Sequence, residues 1–290
     1  MLAVIGGTGI YNIDGLTIIK KHDINTPFGK PSAEIVQGVY HNQEIFFLPR
    51  HGNNHSLLPS EVNYRANIWA LKSLQVTQII GISAVGSLQQ EIEPGDLSIP
   101  DQYFDFIKGN REKTFFGNGI VAHVSTAEPT CQTLADAISK AATTCNTSIH
   151  LNKTYACIDG PRLGSKAESL FLRSAAGCDL VGMTNVPEVF LAREAQICYC
   201  TIAIATDYDC WQDDPNEHVT VDQVISRYGK SLSKAKTVLA AYIKSMPDPS
   251  SNENTSKCTN NCNSALKSAM LTPLENMSES NKALYELLSS

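Results

Sequence analysis

Leu2-Ala-Val-Ile-Gly-Gly-Thr-Gly9 opens the chain with apolar residues that run straight into a glycine turn. A short unbroken apolar run bounded by glycines reads as a buried strand over Leu2–Gly7. The Gly6-Gly7-Thr8-Gly9 turn behind it presents backbone N–H groups and a hydroxyl able to hold phosphate oxygens. A dinucleotide-binding turn would place a third glycine three residues after Gly9, where Asn12 stands. Taken alone, the turn is equally readable as a tight structural one.

Outward from this strand the pattern alternates. Glu34–Tyr40 and Glu44–Leu48 read as a hairpin around His41-Asn-Gln, Glu61–Leu74 has helical apolar spacing, and Gln78–Ser83 is a second buried strand. A helix is expected near Thr130–Thr144, a strand near Tyr155–Ile158, a helix from Ser165 to about Ala175, a strand over Cys200–Ala205 and a helix over Val219–Ser245. The expected fold class is therefore α/β, a single-domain mixed sheet flanked by helices, with ligands at the carboxyl ends of strands. Residues 1–247 form the expected catalytic domain and 248–263 a polar linker. Residues 264–290 form a C-terminal segment with helical patterning at Ser264–Met270 and Asn281–Leu288, packing on the body or on a neighbouring subunit.

The 290 residues carry a net charge of -6, which argues against a nucleic-acid groove, and any anionic ligand must be met by local groups. Neither a signal peptide nor a membrane-length apolar run is read, so a cytoplasmic location without membrane partners is expected. Of the nine cysteines, Cys157, Cys178, Cys198, Cys200 and Cys210 sit in apolar segments as small buried hydrophobes. Cys258 and Cys262 flank a polar Thr-Asn-Asn and could bond to each other or to another cysteine. No second Cys or His pair lies near them in sequence, so no metal site is expected.

Pro49-Arg50-His51-Gly52 sends a guanidinium and an imidazole out of a strand end. Arg50 pairing with a surface carboxylate is the bland reading; its strand-to-loop position favours an anion instead. Ser83-Ala84-Val85-Gly86-Ser87 supplies another turn of small residues with a hydroxyl. Asp207 and Asp209 lie between apolar Ile202–Ala205 and Cys210-Trp211. In an extended segment they point to one side. A buried carboxyl pair there can supply a proton donor and a hydrogen-bond acceptor to a ligand.

Nine segments in order resemble the methylthioadenosine phosphorylase family, within the trimeric purine nucleoside phosphorylases. They are GGTGIY at Gly6, TPFGKPS at Thr26, PRHG at Pro49, VNYRANIWALK at Val62, PGDL at Pro94, GPR at Gly160, KAES at Lys166, MTNVPEV at Met183 and ATDYDCW at Ala205. The resemblance implies phosphate binding by Thr8, Arg50, His51, Ser83, Ala84 and Thr184. It places Met183 beneath sugar and base, and makes Asp207 and Asp209 the catalytic, base-reading pair. It implies a 5' pocket from Val221 and Val224, completed by His123 and by Leu271 or Leu274 of a neighbouring subunit. Leu163-Gly164 departs from the aromatic-serine pair common after GPR, so Gly164 marks a specificity position. The stretch from Cys258 through SALKSAMLT is similar to longer bacterial and archaeal members, which can carry disulfides there.

The implied reaction splits S-methyl-5'-thioadenosine with inorganic phosphate as co-substrate and no other cofactor, in a homotrimer or dimer of trimers. A phosphorylase for 6-oxopurine nucleosides or methylthioinosine is the close alternative and should lack the aspartate pair. A water-using nucleosidase would not need Arg50 and Thr8 around an anion, and a nucleotide sensor would not turn over.

Overall fold

The computed structural model describes residues 1–7, 13–212, 221–247 and 258–290, apart from the side chains of 221–227 and 230. Strand β1 (Leu2–Gly6) alternates Ala3 and Ile5 into one core with Leu2 and Val4 into another, so both faces are covered and the run is apolar throughout. After the exposed edge strand β2 (Thr17–His22) come β3 (Ile35–Tyr40) and β4 (Gln43–Pro49), paired antiparallel. Their connection is His41-Asn42, both with positive φ, the backbone of the tight turn that matches strand twist. Helix α1 (Tyr64–Ser73) follows, and Asn63 caps it by accepting from Ala66 N–H.

The chain continues through β5 (Gln78–Ser87), β6 (Leu97–Asp105), α2 (Gln132–Thr144), β7 (Ile149–Cys157) and α3 (Lys166–Leu170). Beyond α3 the helix widens over Phe171–Ala175, with Ala176 N–H reaching back to Phe171 O. Then come β8 (Leu180–Gly182), α4 (Asn185–Glu194), β9 (Cys198–Asp207), α5 (Val221–Ser245) and α6 (Glu279–Ser289).

Strand β5 is the hinge of the topology. It pairs with β1 in the open arm β2-β3-β4-β1, and with both β8 and β9. Since β9 pairs with β6, β6 with β7 and β7 with β8, these five strands close into a ring. Helices α1, α4 and α6 pack on one face and α2 with α5 on the other. The helix expected over Ser264–Met270 is instead a series of i→i+3 turns, Lys267 to Ser264 and Ala269 to Leu266. The C-terminal end lies on its own chain: Leu288 is fully buried, and Lys72 Nζ and Gln196 Nε2 donate to the Ser290 and Ser289 carbonyls. No helix among the described residues is long and apolar enough to cross a membrane.

Candidate active site

Parallel pairing of β4, β1, β5 and β9 brings four carboxyl ends to one edge of the sheet. Arg50 leaves β4 there, its backbone N–H donating to Gly6 O at 2.8 Å. Its guanidinium is 1% exposed and nearly spent. Nε and Nη2 each donate to Glu188 at 2.7 Å, Nη1 donates to Ile82 O at 3.0 Å, and Nη2 also reaches Ile5 O at 3.3 Å. Of five N–H groups, one on Nη1 remains for another acceptor among the described residues. In place of the surface carboxylate of the bland reading, Arg50 pairs with a fully buried one on α4, which Tyr199 Oη also holds at 2.8 Å. Burial opposes the charge on Arg50, but the carboxylate outweighs it and holds the pKa above its usual value.

Ser83 follows the carbonyl that Arg50 grips. Its hydroxyl is buried and finds no hydrogen-bond partner among the described residues, an orphan that a phosphate oxygen would satisfy. Ala84 beside it is exposed although its β5 neighbours are buried, which leaves open space over this strand end. Thr184 stands at the N-terminus of α4, the helix that carries Glu188, and its side chain makes no capping bond. The His51 Nδ1 lies 2.9 Å from the Leu57 carbonyl, so that nitrogen carries the hydrogen. Burial first, and then the charge of Arg50, push its pKa down to about 4. The ring is neutral at pH 7 with Nε2 an acceptor, suited to a phosphate O–H but not to adding positive charge.

Asp207 ends β9 opposite Gly86 of β5. Its Oδ2 accepts from Thr206 Oγ1 at 2.6 Å and its Oδ1 from Asp209 N–H at 2.8 Å, two donors that favour the carboxylate. The expectation that the two aspartates share one side of an extended segment is corrected. Tyr208 is outside the extended region and Asp209 has φ 51°, so a turn joins the pair, not strand alternation. Burial, with the charge of Asp207 beside it, raises the Asp209 pKa. Cys210 Sγ donates to Gly164 O at 3.3 Å, which brings the GPR loop next to these carboxylates.

Residues 1–244 match the sequence profile of the phosphorylase superfamily. The S-methyl-5'-thioadenosine phosphorylase of Geobacter sulfurreducens is 44% identical over 272 residues, covering 94% of this chain and 92% of its own. The chain belongs to the phosphorylase superfamily, in the methylthioadenosine phosphorylase family. The crystal structure of a methylthioadenosine phosphorylase from an Antarctic soil metagenomic library superposes with a TM-score of 0.90 at 41% identity, covering 99% of this chain and 98% of the other. That of the Schistosoma mansoni enzyme, in complex with adenine, gives 0.86 at 35% identity, covering 93% and 98%.

In this phosphorylase Met183 is half-buried and held from behind. Arg111, which sequence reading missed, donates to the Met183, Val186 and Asp159 carbonyls at 2.7, 2.9 and 2.8 Å. Gly160, with φ +68°, must stay small, because a Cβ there would lie 2.5 Å from Met183 Sδ. Glu188 and Tyr199 were also missed. A lone glutamate within the apolar run Val186–Leu191 was the signal, since a charge inside a buried face demands a cation. His123 stands apart from the strand-end cluster: it is exposed, with its N–H on Ala269 O. Thr8 lies outside the described residues, as do the side chains of Val221 and Val224. A cleft of about 310 Å³ lined by Tyr64, Arg65 and Arg111, and a smaller one of about 100 Å³ at Ile158–Gly160, contain neither Arg50, Ser83 nor Asp207.

Proposed function

We propose that the chain catalyses phosphorolysis of S-methyl-5'-thioadenosine, giving adenine and 5-methylthioribose 1-phosphate. The observation that carries this reading is the juxtaposition at one sheet edge of an anion-donor group, Ser83 and Arg50, with the buried pair Asp207 and Asp209. A phosphate oxygen attacks C1' as the C1'–N9 bond breaks, and the bond's electron pair leaves on adenine. Phosphate is held by the remaining Nη1–H of Arg50, by Ser83, Thr184 and His51, by backbone at Ala84, and by Thr8. Its negative charge, placed beneath the developing ribosyl cation, stabilises the transition state. The aspartate pair meets the base, one carboxyl delivering a proton to N7 and one carboxylate accepting from N6. Met183 provides a polarizable apolar floor, and Gly164 tunes selectivity through its contact with Cys210.

The assembly is a homotrimer or a pair of trimers, with His123 and Leu271 or Leu274 completing a neighbour's 5' pocket against Val221 and Val224. Support comes from the exposed Val121 and Leu271, joined by Leu271 N–H donating to Val121 O close to His123, and from the exposed Leu274. Sedimentation equilibrium tests this, and a fully active monomer would overturn it. Comparison of kcat/KM for methylthioadenosine and methylthioinosine tests the substrate assignment. A preference for the 6-oxopurine would reject it in favour of the alternative phosphorylase.

A further inference from the structure

Cys131, Cys198, Cys258 and Cys262 are scattered through the sequence, yet the fold sets their four sulfurs within 4.8 Å of one another. The expectation of no metal site rested on neighbours in sequence, and the second pair of cysteines comes from elsewhere in the fold. Cys131 caps the N-terminus of α2, Cys198 starts β9, and Cys258 and Cys262 bracket a turn in which Asn261 is left-handed. The Cys131 and Cys258 sulfurs are 3.5 Å apart. Cys131 and Cys262 are buried, Cys198 and Cys258 are half-buried, and all four are free thiols.

Hydrogen-bond donors and a helix N-terminus face the sulfurs. Arg193 Nη1 donates to Cys262 Sγ at 3.2 Å, and Cys262 N–H lies 3.5 Å from Cys258 Sγ. The N-terminal end of the 13-residue helix α2 lies at Cys131 and stabilises negative charge.

We propose that these four cysteines form a closed structural zinc site. Tetrahedral zinc with Zn–S near 2.3 Å sets its sulfurs about 3.8 Å apart. The largest separation of 4.8 Å then closes by about 1 Å on binding. Four soft sulfur ligands select zinc over hard cations, and four-cysteine sites are structural. Each thiol gives its proton to solvent as its S–Zn bond forms, no electron is transferred, and Arg193 offsets part of the remaining negative charge. The ion would clamp residues 258–262 to α2 and β9, anchoring the segment that carries Leu271 and α6. That segment is already docked there, because Asn260 Oδ1 accepts from Gln132 N–H and its carbonyl from Arg193.

The test uses the full chain purified under reducing, chelator-free conditions with Zn²⁺ supplied. Metal content is read by plasma mass spectrometry, Tm by calorimetry, and the ligand set by the spectrum of the Co²⁺-substituted protein. One zinc per chain is expected, together with a tetrahedral cobalt–thiolate spectrum. Cys258→Ser should lower zinc affinity by about tenfold or more and lower Tm. Cys145→Ser, outside the cluster, should leave both unchanged. Folded wild type that binds neither metal overturns the proposal, whatever the variant does. So do iron in place of zinc, an intact mass lower by two pairs of hydrogens that marks two disulfides, or full zinc retention in Cys258→Ser.

Discussion

Asp207 and Asp209 lie one residue apart in sequence and differ in surroundings. Asp207 accepts two hydrogen bonds that stabilise its charge, whereas burial and its neighbour push Asp209 toward the protonated form. Asparagine at 207 keeps the volume and turns an acceptor toward the donor N6 into a donor. A mismatch in a buried polar site costs about 1–3 kcal/mol. Asp207→Asn should therefore lower the kcat/KM ratio of methylthioadenosine over methylthioinosine by about 5- to 150-fold. An unchanged ratio in both Asp207→Asn and Asp209→Asn would mean that the base is read elsewhere. His51 gives a pH prediction with a definite sign. Its imidazole titrates near 6.5 when unfolded and about 4 when folded, so between these values the unfolded chain holds more protons. Its contribution to stability is full above about 6.5 and is lost as pH falls toward 4. An NMR titration of the His51 ring should find it neutral at pH 6, and a midpoint near 6.5 in the folded protein would contradict the buried, Leu57-bonded ring.

Helix α4 joins the site to the core, since its N-terminus carries Thr184 and its next turn holds Arg50 through Glu188. Removing one partner of a buried ion pair leaves an uncompensated charge at about 3–5 kcal/mol. Glu188→Gln should destabilise the protein by about that amount in denaturant melts, with a much smaller loss when Arg50→Met and Glu188→Leu are combined. A loss below about 1 kcal/mol in the single variant would show that the pair is not the anchor it looks to be. This pair also marks how far the sequence could be read. Periodicity located β1, the hairpin, α1, β5, α2, β7 and β9, because each buries a repeating face visible in its own residues. The polar edge strand β2, the three-residue β8, β6 and α4 were not read, since their burial is decided by partners distant in the chain. At the site, the motifs pointed to Arg50, His51, Ser83, Thr184, Met183, Asp207 and Asp209, of which Arg50, Ser83 and Asp207 come to the carboxyl-end edge of the sheet. The commitment of Arg50 to Glu188, across 138 residues, was not, nor were the left-handed turn at Asp209 and the four-cysteine cluster.

On the scale of the molecule, β5 belongs both to the open arm and to the closed ring, and its carboxyl end is where the two meet. The open arm delivers Arg50 and His51, the ring delivers Asp207, Asp209 and Met183, and β5 contributes Ser83 and Ala84. In the proposed reaction, anion and base are thus met by different parts of one sheet. That division fits the proposed reaction, in which phosphate and not water is the nucleophile. Adenine release from methylthioadenosine, followed with and without inorganic phosphate and with identification of the sugar product, tests this directly. Release that requires phosphate and yields 5-methylthioribose 1-phosphate is predicted. Equal release in phosphate-free buffer, with free 5-methylthioribose as the product, would contradict it.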